Sequence, residues 1–170
     1  MKVCDSSGAV SDATRDPLER PFVPPGFVVP PALETEDFRL EPLGPQHNEP
    51  DYDAWSSSGE HIRSTPGWET SSWPDDRSLE DNLRDLQRHA DDFEKRTGFT
   101  YTVLDPATGD VIGCVYIYPD KEEEHDAKVL SWVRASRAEL DVKLWRAVTD
   151  WLEGEWPFER VAYAERPDAP

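Results

Sequence analysis

The chain has 170 residues, enough for one domain, and sets 36 acids against 18 Lys and Arg for a formal charge of -18. That balance excludes a broad affinity for nucleic acid or anionic membrane, because phosphate contact needs a basic face. Seven Trp, five Tyr and six Phe supply a core that the 36% hydrophobic content alone would make lean.

Residues 1–35 hold six of the sixteen prolines and no amphipathic period. Residues 1–20 read as a disordered tail. Residues 21–35 read as an extended strap, with Phe22, Phe27, Val28 and Val29 to bury. The domain proper is expected over 36–166.

Phe38 to Leu43 alternates as a first strand, ending near Pro42 or lying at an edge. Asn48 then caps a helix expected to run to about Arg63, weakened by Gly59. A loop carrying Trp68 and Trp73 leads to Ser78, where Asp81 completes a capping box. Leu79, Leu83, Leu86, Ala90 and Phe93 fall on one stripe of the helix that follows, and Gly98 suits its end.

Phe99–Leu104 and Val111–Tyr118 form a hairpin around Asp105-Pro106-Ala107-Thr108-Gly109-Asp110. Charged residues 119–126 lead to a third strand, Ala127 to Val133. Ser136 and Glu139 predict a capping box for the last helix. Its buried stripe is Leu140, Leu144, Val148, Trp151 and Leu152, and Gly154 with Pro157 closes it. Phe158 to Ala164 is a final strand, parallel to its predecessor. The expected fold class is α/β (α+β): a mixed, mostly antiparallel sheet with helices on both faces.

This order, from about Phe38 to Ala164, resembles the GNAT acetyltransferase superfamily. Local sequence carries the resemblance: Phe99–Leu104 with Gly109-Asp110-Val111-Ile112-Gly113, and Ser131-Trp132-Val133 followed by the helix through Trp151-Leu152. Val103–Pro106, Val111–Tyr118 and Trp156–Val161 are similar to GNAT-like proteins of actinobacteria. The resemblance implies transfer of acetyl from acetyl-CoA to an amine. It places the cofactor at Trp132, Val133, Arg134, Arg137 and Ala138, and the acceptor near Trp55, His61, Trp68, Trp73, Tyr116 and Tyr118. An acidic surface suits a cationic small-molecule or peptide amine.

The sequence departs from that family at the turn expected to hold pyrophosphate. Residues 134–141 contain no glycine and include Glu139 and Asp141. The chain stops at Pro170, so the expected fold is C-terminally shortened, without the tyrosine that the resemblance implies for protonating the leaving thiolate. These departures sustain an alternative, a non-catalytic GNAT-like module that binds a small molecule or a protein. The open sheet edge would be covered by the strap or by a second copy in a homodimer.

The remaining residues give no second chemistry. Tyr116 and Tyr118 share a strand face, where they pack or line a pocket. Cys114 reads as a small core residue, and Glu122–Asp126 as a charged tip. His47, His61, His89 and His125 have no metal-ligand spacing, so no metal is expected. No catalytic residue is assigned. The N-terminus shows no basic region followed by an apolar stretch, and a cytoplasmic protein is the expectation.

Overall fold

The structure, a computed structural model, describes residues 20–167; the tail expected over 1–20 falls almost wholly outside them. Six strands lie in sequence order across one sheet: β1 (Leu33–Glu34), β2 (Arg39–Pro42), β3 (Phe99–Leu104), β4 (Val111–Tyr118), β5 (Ala127–Val133) and β6 (Val161–Tyr163). Neighbours pair antiparallel except β5 and β6, which are parallel. Among the described residues four α-helices accompany them: α1 (Asn48–Ser56), α2 (Gly59–Arg63), α3 (Leu79–Lys95) and α4 (Asp141–Glu155).

The sheet separates two cores, as strand alternation requires. Val115 and Ile117 of β4 join Leu144, Val148 and Trp151 of α4 on one face. Cys114 and Trp132 join Trp55, Ile62, Trp68 and Leu86 on the other, beneath the first three helices. Gly113 has a structural reason: a Cβ there would run into the Trp132 backbone carbonyl on β5.

Several elements differ from their sequence-based expectations. Strand β2 starts at Arg39 and includes Pro42. The Leu43 N–H reaches β3 at Thr100, so the Pro42 nitrogen faces the opposite side, beyond the end of β1. The helix expected over 48–63 is two helices. The Ser57 hydroxyl donates to the Asp53 and Ala54 carbonyls at 2.7 and 3.2 Å, competing with the backbone ladder where α1 stops. Asn48 is the first helical residue rather than the cap, and its side chain instead meets Leu79 and Asn82.

Helix α3 begins as expected, with Ser78 and Asp81 exchanging hydrogen bonds. Its buried face is rotated from the leucine stripe. Leu79 and Leu83 are 38% and 43% exposed, whereas Asn82 and Leu86 are buried. Polar contacts cause this: Asn82 accepts from Trp55 Nε1 at 3.1 Å and donates to Asn48 and Asp51. The left-handed residue that ends α3 is Arg96, with φ 62°. Gly98 serves Tyr118, whose ring occupies the space a Cβ would need.

Ser136 and Glu139 make no capping box. Ala135–Leu140 is a 3-10 turn, α4 starts at Asp141, and Glu139 faces Arg137 instead. The stripe Leu140, Leu144, Val148, Trp151 and Leu152 is buried as expected. Gly154 lies inside α4, which stops at Trp156 because the residue before Pro157 is forced to extended backbone. The last strand is shorter than expected, only Val161–Tyr163.

Residues 21–35 lie against the α4 face. Phe22 stacks on Phe99 and Phe158, Val23 is buried, and Arg96 donates to the Pro24 and Phe27 carbonyls. Val28 is 81% exposed, contrary to expectation. The segment extends the sheet through β1 at the β2 edge, so it does not cover the β6 edge.

Replacing Gly113 by Ala is expected to destabilise the fold by about 1–3 kcal/mol, the typical range for overpacking. Denaturant unfolding at neutral pH measures it.

Candidate functional site

The site starts from a divergence of two strands. Strand β6 pairs with β5 only from Ala127↔Val161 to Val129↔Tyr163. Beyond that the strands separate, and β5 continues alone on that side to Val133. The Arg134 N–H bonds Ile112 O at 2.7 Å, so backbone groups of Trp132 and Arg134 face β4, while those of Ser131 and Val133 face the gap.

Two side chains occupy this crevice. Trp68 Nε1 donates to Ser131 O at 2.9 Å, and Arg166 Nη2 donates to the same carbonyl at 3.1 Å. Arg166 is 3% exposed. Its Nε donates to Asp141 Oδ2 at 2.7 Å, and its Nη1 donates to the carbonyls of Pro66 and Ala164. Tyr163 completes the wall: its hydroxyl lies 2.5 Å from Ser131 Oγ, and its ring lies 5.7 Å from the Arg166 guanidinium carbon. Burial pushes the Tyr163 phenol up, so it stays protonated at neutral pH.

Of the residues expected to hold a cofactor, Val133 turns its backbone to the crevice, whereas Arg134 and Arg137 reach toward the β3–β4 hairpin, at Val111 O and Asp105. Trp132 and Val133 are buried strand residues, and Trp132 Nε1 donates to Tyr116 Oη at 3.1 Å. Arg134 pairs with Asp53 at 3.0 Å, and Arg137 pairs with Asp105 at 3.1 Å and Glu139 at 3.7 Å. The Ala107 N–H first, and Arg137 second, hold the Asp105 carboxyl below its usual range. Ala138 is exposed on the 3-10 turn.

On the helical side of the sheet lies a cavity of about 630 Å³, walled by Trp68, His89, Tyr116, Tyr118 and Leu130. Asp92, Asp120 and Glu122 meet Arg88, Lys121 and Lys128 around it. A second cavity of about 310 Å³ adjoins it, shares Trp68, His89 and Tyr116, and reaches Trp73, Asp51 and Asn82. Trp68 therefore touches both the larger cavity and the crevice carbonyl. Of the aromatics expected at an acceptor site, Trp68, Tyr116 and Tyr118 line the larger cavity and Trp73 the smaller. Trp55 is core, packed on Tyr52 and Trp73. His61, on α2, lines neither cavity.

His89 and Asp92 were not expected there. Tyr118 Oη donates to Asp92 Oδ2 at 2.9 Å and lies 2.8 Å from His89 Nδ1, which is also 3.0 Å from Thr100 Oγ1. With the phenolic proton committed to Asp92, Tyr118 Oη accepts from His89 Nδ1–H, leaving Nε2 as the basic nitrogen. Burial, then Arg88, lowers the His89 pKa to about 4. Burial raises Tyr118, and Asp92 adds to that. The result is a neutral imidazole oriented by a tyrosine and a carboxylate, able to accept a proton. The signal available in the sequence was the helical face Asn82, Leu86, His89 and Phe93, spaced by four, three and four residues.

Cys114 lies on the same sheet face; burial raises its thiol well above the usual value, which leaves it a poor nucleophile. Among the described residues no group of three or more His, Cys, Asp or Glu could hold a metal ion, and no helix is long and apolar enough to cross a membrane.

The fold is that of the GNAT acetyltransferases. Solved structures with the same arrangement include the ribosomal-protein-S5-alanine acetyltransferase from Vibrio fischeri, with TM-score 0.54 and 15% identity over 71% of this chain and 66% of that one. A putative ribosomal-protein-serine acetyltransferase from Vibrio cholerae gives 0.56 and 14%, over 74% and 70%. The microcin C7 self-immunity acetyltransferase MccE, solved with acetyl-CoA and AMP, gives 0.53 and 12%, over 75% and 70%. No family model matches the sequence, and no curated protein matches it.

Two titrations check the electrostatics. In NMR, the His89 ring is expected to titrate near pH 4, and Asp92→Asn to lower that midpoint by removing a charge that favours the imidazolium. Asp51 is shifted the other way, to about 6, chiefly by burial and against the Asn82 hydrogen bond. Its folded pKa exceeds its unfolded one, so its protonated form favours folding and that contribution is lost as pH rises from about 4 to 6. Asp51→Asn is therefore expected to match wild-type stability below about pH 4 and exceed it by about 3 kcal/mol at neutral pH, in denaturant unfolding.

Proposed function

We propose that this chain transfers an acyl group from an acyl-CoA thioester to an amine, in the cytoplasm. The observation that carries the reading is Trp68, which lines the cavity and donates to Ser131 O in the crevice, with neutral His89 on the same cavity wall. The likeness to acetyltransferases supports it, including one solved with acetyl-CoA.

The donor set suits such a ligand once Arg166 has left Ser131. The strand edge at Ser131 and Val133 would pair with an amide-bearing arm. Arg134 and Arg137, at the approach to α4, would exchange their carboxylate partners for a diphosphate. The thioester supplies the activated acyl group. The free amine would add to the thioester carbonyl as the C–S bond breaks, and neutral His89 Nε2 would relay the proton shed by the adding nitrogen toward the departing thiolate, which leaves as thiol, while Asp92 and Tyr118 hold the ring. Trp68, Tyr116 and Tyr118 would wall off the acceptor, and the chain's overall charge of -18 would draw a cationic one.

A second reading, a non-catalytic module that binds a small molecule or protein, rests on a specific observation. Both arginines are already paired within the chain, and residues 134–141 offer no glycine for close approach of a phosphate. Under the first reading, calorimetry is expected to show CoA binding at one site, weakened by Arg137→Ala. Thiol release from acetyl-CoA with spermidine, an aminoglycoside or a Lys-rich peptide is expected to fall about 100-fold or more in His89→Ala, with CoA affinity retained. Absence of CoA binding at millimolar concentration, in wild type and in Arg166→Ala, overturns the acyl-transfer reading and leaves the second.

A further inference from the structure

We propose that Arg166 is a displaceable plug of the β5–β6 crevice, so that binding of a nucleotide thioester there and withdrawal of residues 164–167 are one coupled step. The proposal rests on the acyl-transfer reading above and concerns its regulation.

The argument begins with the Ser131 carbonyl. A carbonyl oxygen has two lone pairs, and here Trp68 Nε1 and Arg166 Nη2 take both. A ligand amide that pairs with this strand edge must therefore displace one of them. Trp68 is the fixed partner. Its ring is packed on Trp73 and Tyr116, within an aromatic group that continues to Trp55 and Trp132.

Arg166 is the partner that can move. It sits in the irregular residues 164–167 after β6, which its side chain ties to Asp141, Pro66 and Ser131. Its guanidinium meets Asp141, Ser131, Pro66 O and Ala164 O, which gives all five N–H groups a partner. Those partners survive its departure. Asp141 lies in the first turn of α4, where the helix dipole favours a carboxylate. Pro66 and Ala164 are only partly buried, within reach of water. Ser131 O keeps Trp68, and Ser131 Oγ keeps Tyr163.

A plug of this kind lowers apparent affinity by the fraction of molecules in the open state. Removing it should restore affinity even though a positive charge is lost. Simple electrostatics predicts the reverse for a polyanion such as CoA, which makes the sign of the change decisive.

The test titrates CoA into wild type and Arg166→Ala by calorimetry, with hydrogen exchange of residues 164–166 followed in the wild type. About tenfold tighter binding to the variant, and faster exchange at 164–166 in the wild type when CoA is added, are expected. Equal affinities with unchanged exchange overturn the plug and leave the acyl-transfer reading standing. Tighter binding by wild type than by the variant also overturns it, making Arg166 a ligand contact. No binding to either folded protein overturns both. Should Arg166→Ala fail to fold, Arg166→Gln takes its place, and the wild-type exchange result still decides between plug and bystander.

Discussion

A backbone group left without a strand partner must find another donor or lose its hydrogen bond in a buried place. Ser131 is such a residue. Strand β6 leaves β5 after Val129 and Tyr163, and the Ser131 carbonyl then faces a gap between the strands. The chain fills that gap from two directions. Trp68 comes from the loop after α2, on one side of the sheet, and Arg166 comes from beyond β6. Each anchors a segment with no regular structure of its own, so the loop through Pro66 and the residues after Tyr163 are positioned by the same carbonyl. The crevice between β5 and β6 is thus the place where these irregular segments are tied down.

The helical side of the sheet follows a related rule for side chains. Buried polar groups need partners, and their partners decide how helices turn. Asn82 binds Trp55, Asn48 and Asp51, and this faces α3 inward along Asn82, Leu86, His89 and Phe93. Leu79 and Leu83 are left toward water as a consequence. His89 arrives on the cavity wall by that rotation, where Tyr118, Asp92 and Thr100 fix its ring. A helix oriented only by its leucines would have presented different residues to the sheet.

The electrostatics of the two halves of the site differ in kind. In the cavity, burial governs: it holds His89 neutral and keeps Tyr116 and Tyr118 protonated. In the crevice and at the turn before α4, ion pairs govern, with Arg166, Arg134 and Arg137 each set against a carboxylate of the same chain. In a chain of charge -18 such pairing is expected, because acids outnumber Lys and Arg by 36 to 18 overall. A ligand anion therefore competes with intramolecular carboxylates for every arginine it needs.

The sequence by itself determined the elements whose signals are local. The hairpin turn over 105–110, the Ser78 cap, the α4 stripe and the stop before Pro157 depend on residues within a few positions of one another, and each is present. The α/β order they make sufficed for the fold class. Tertiary structure decided what depends on distant partners: the break at Ser57, the rotation of α3, the His89 group, and the seat of Arg166 against a carbonyl 35 residues away. Nothing near Arg166 in the sequence marks it, since its role depends on where β6 leaves β5. Periodicity reports which face of an element is apolar; it cannot report which unpaired backbone oxygen a remote guanidinium will reach.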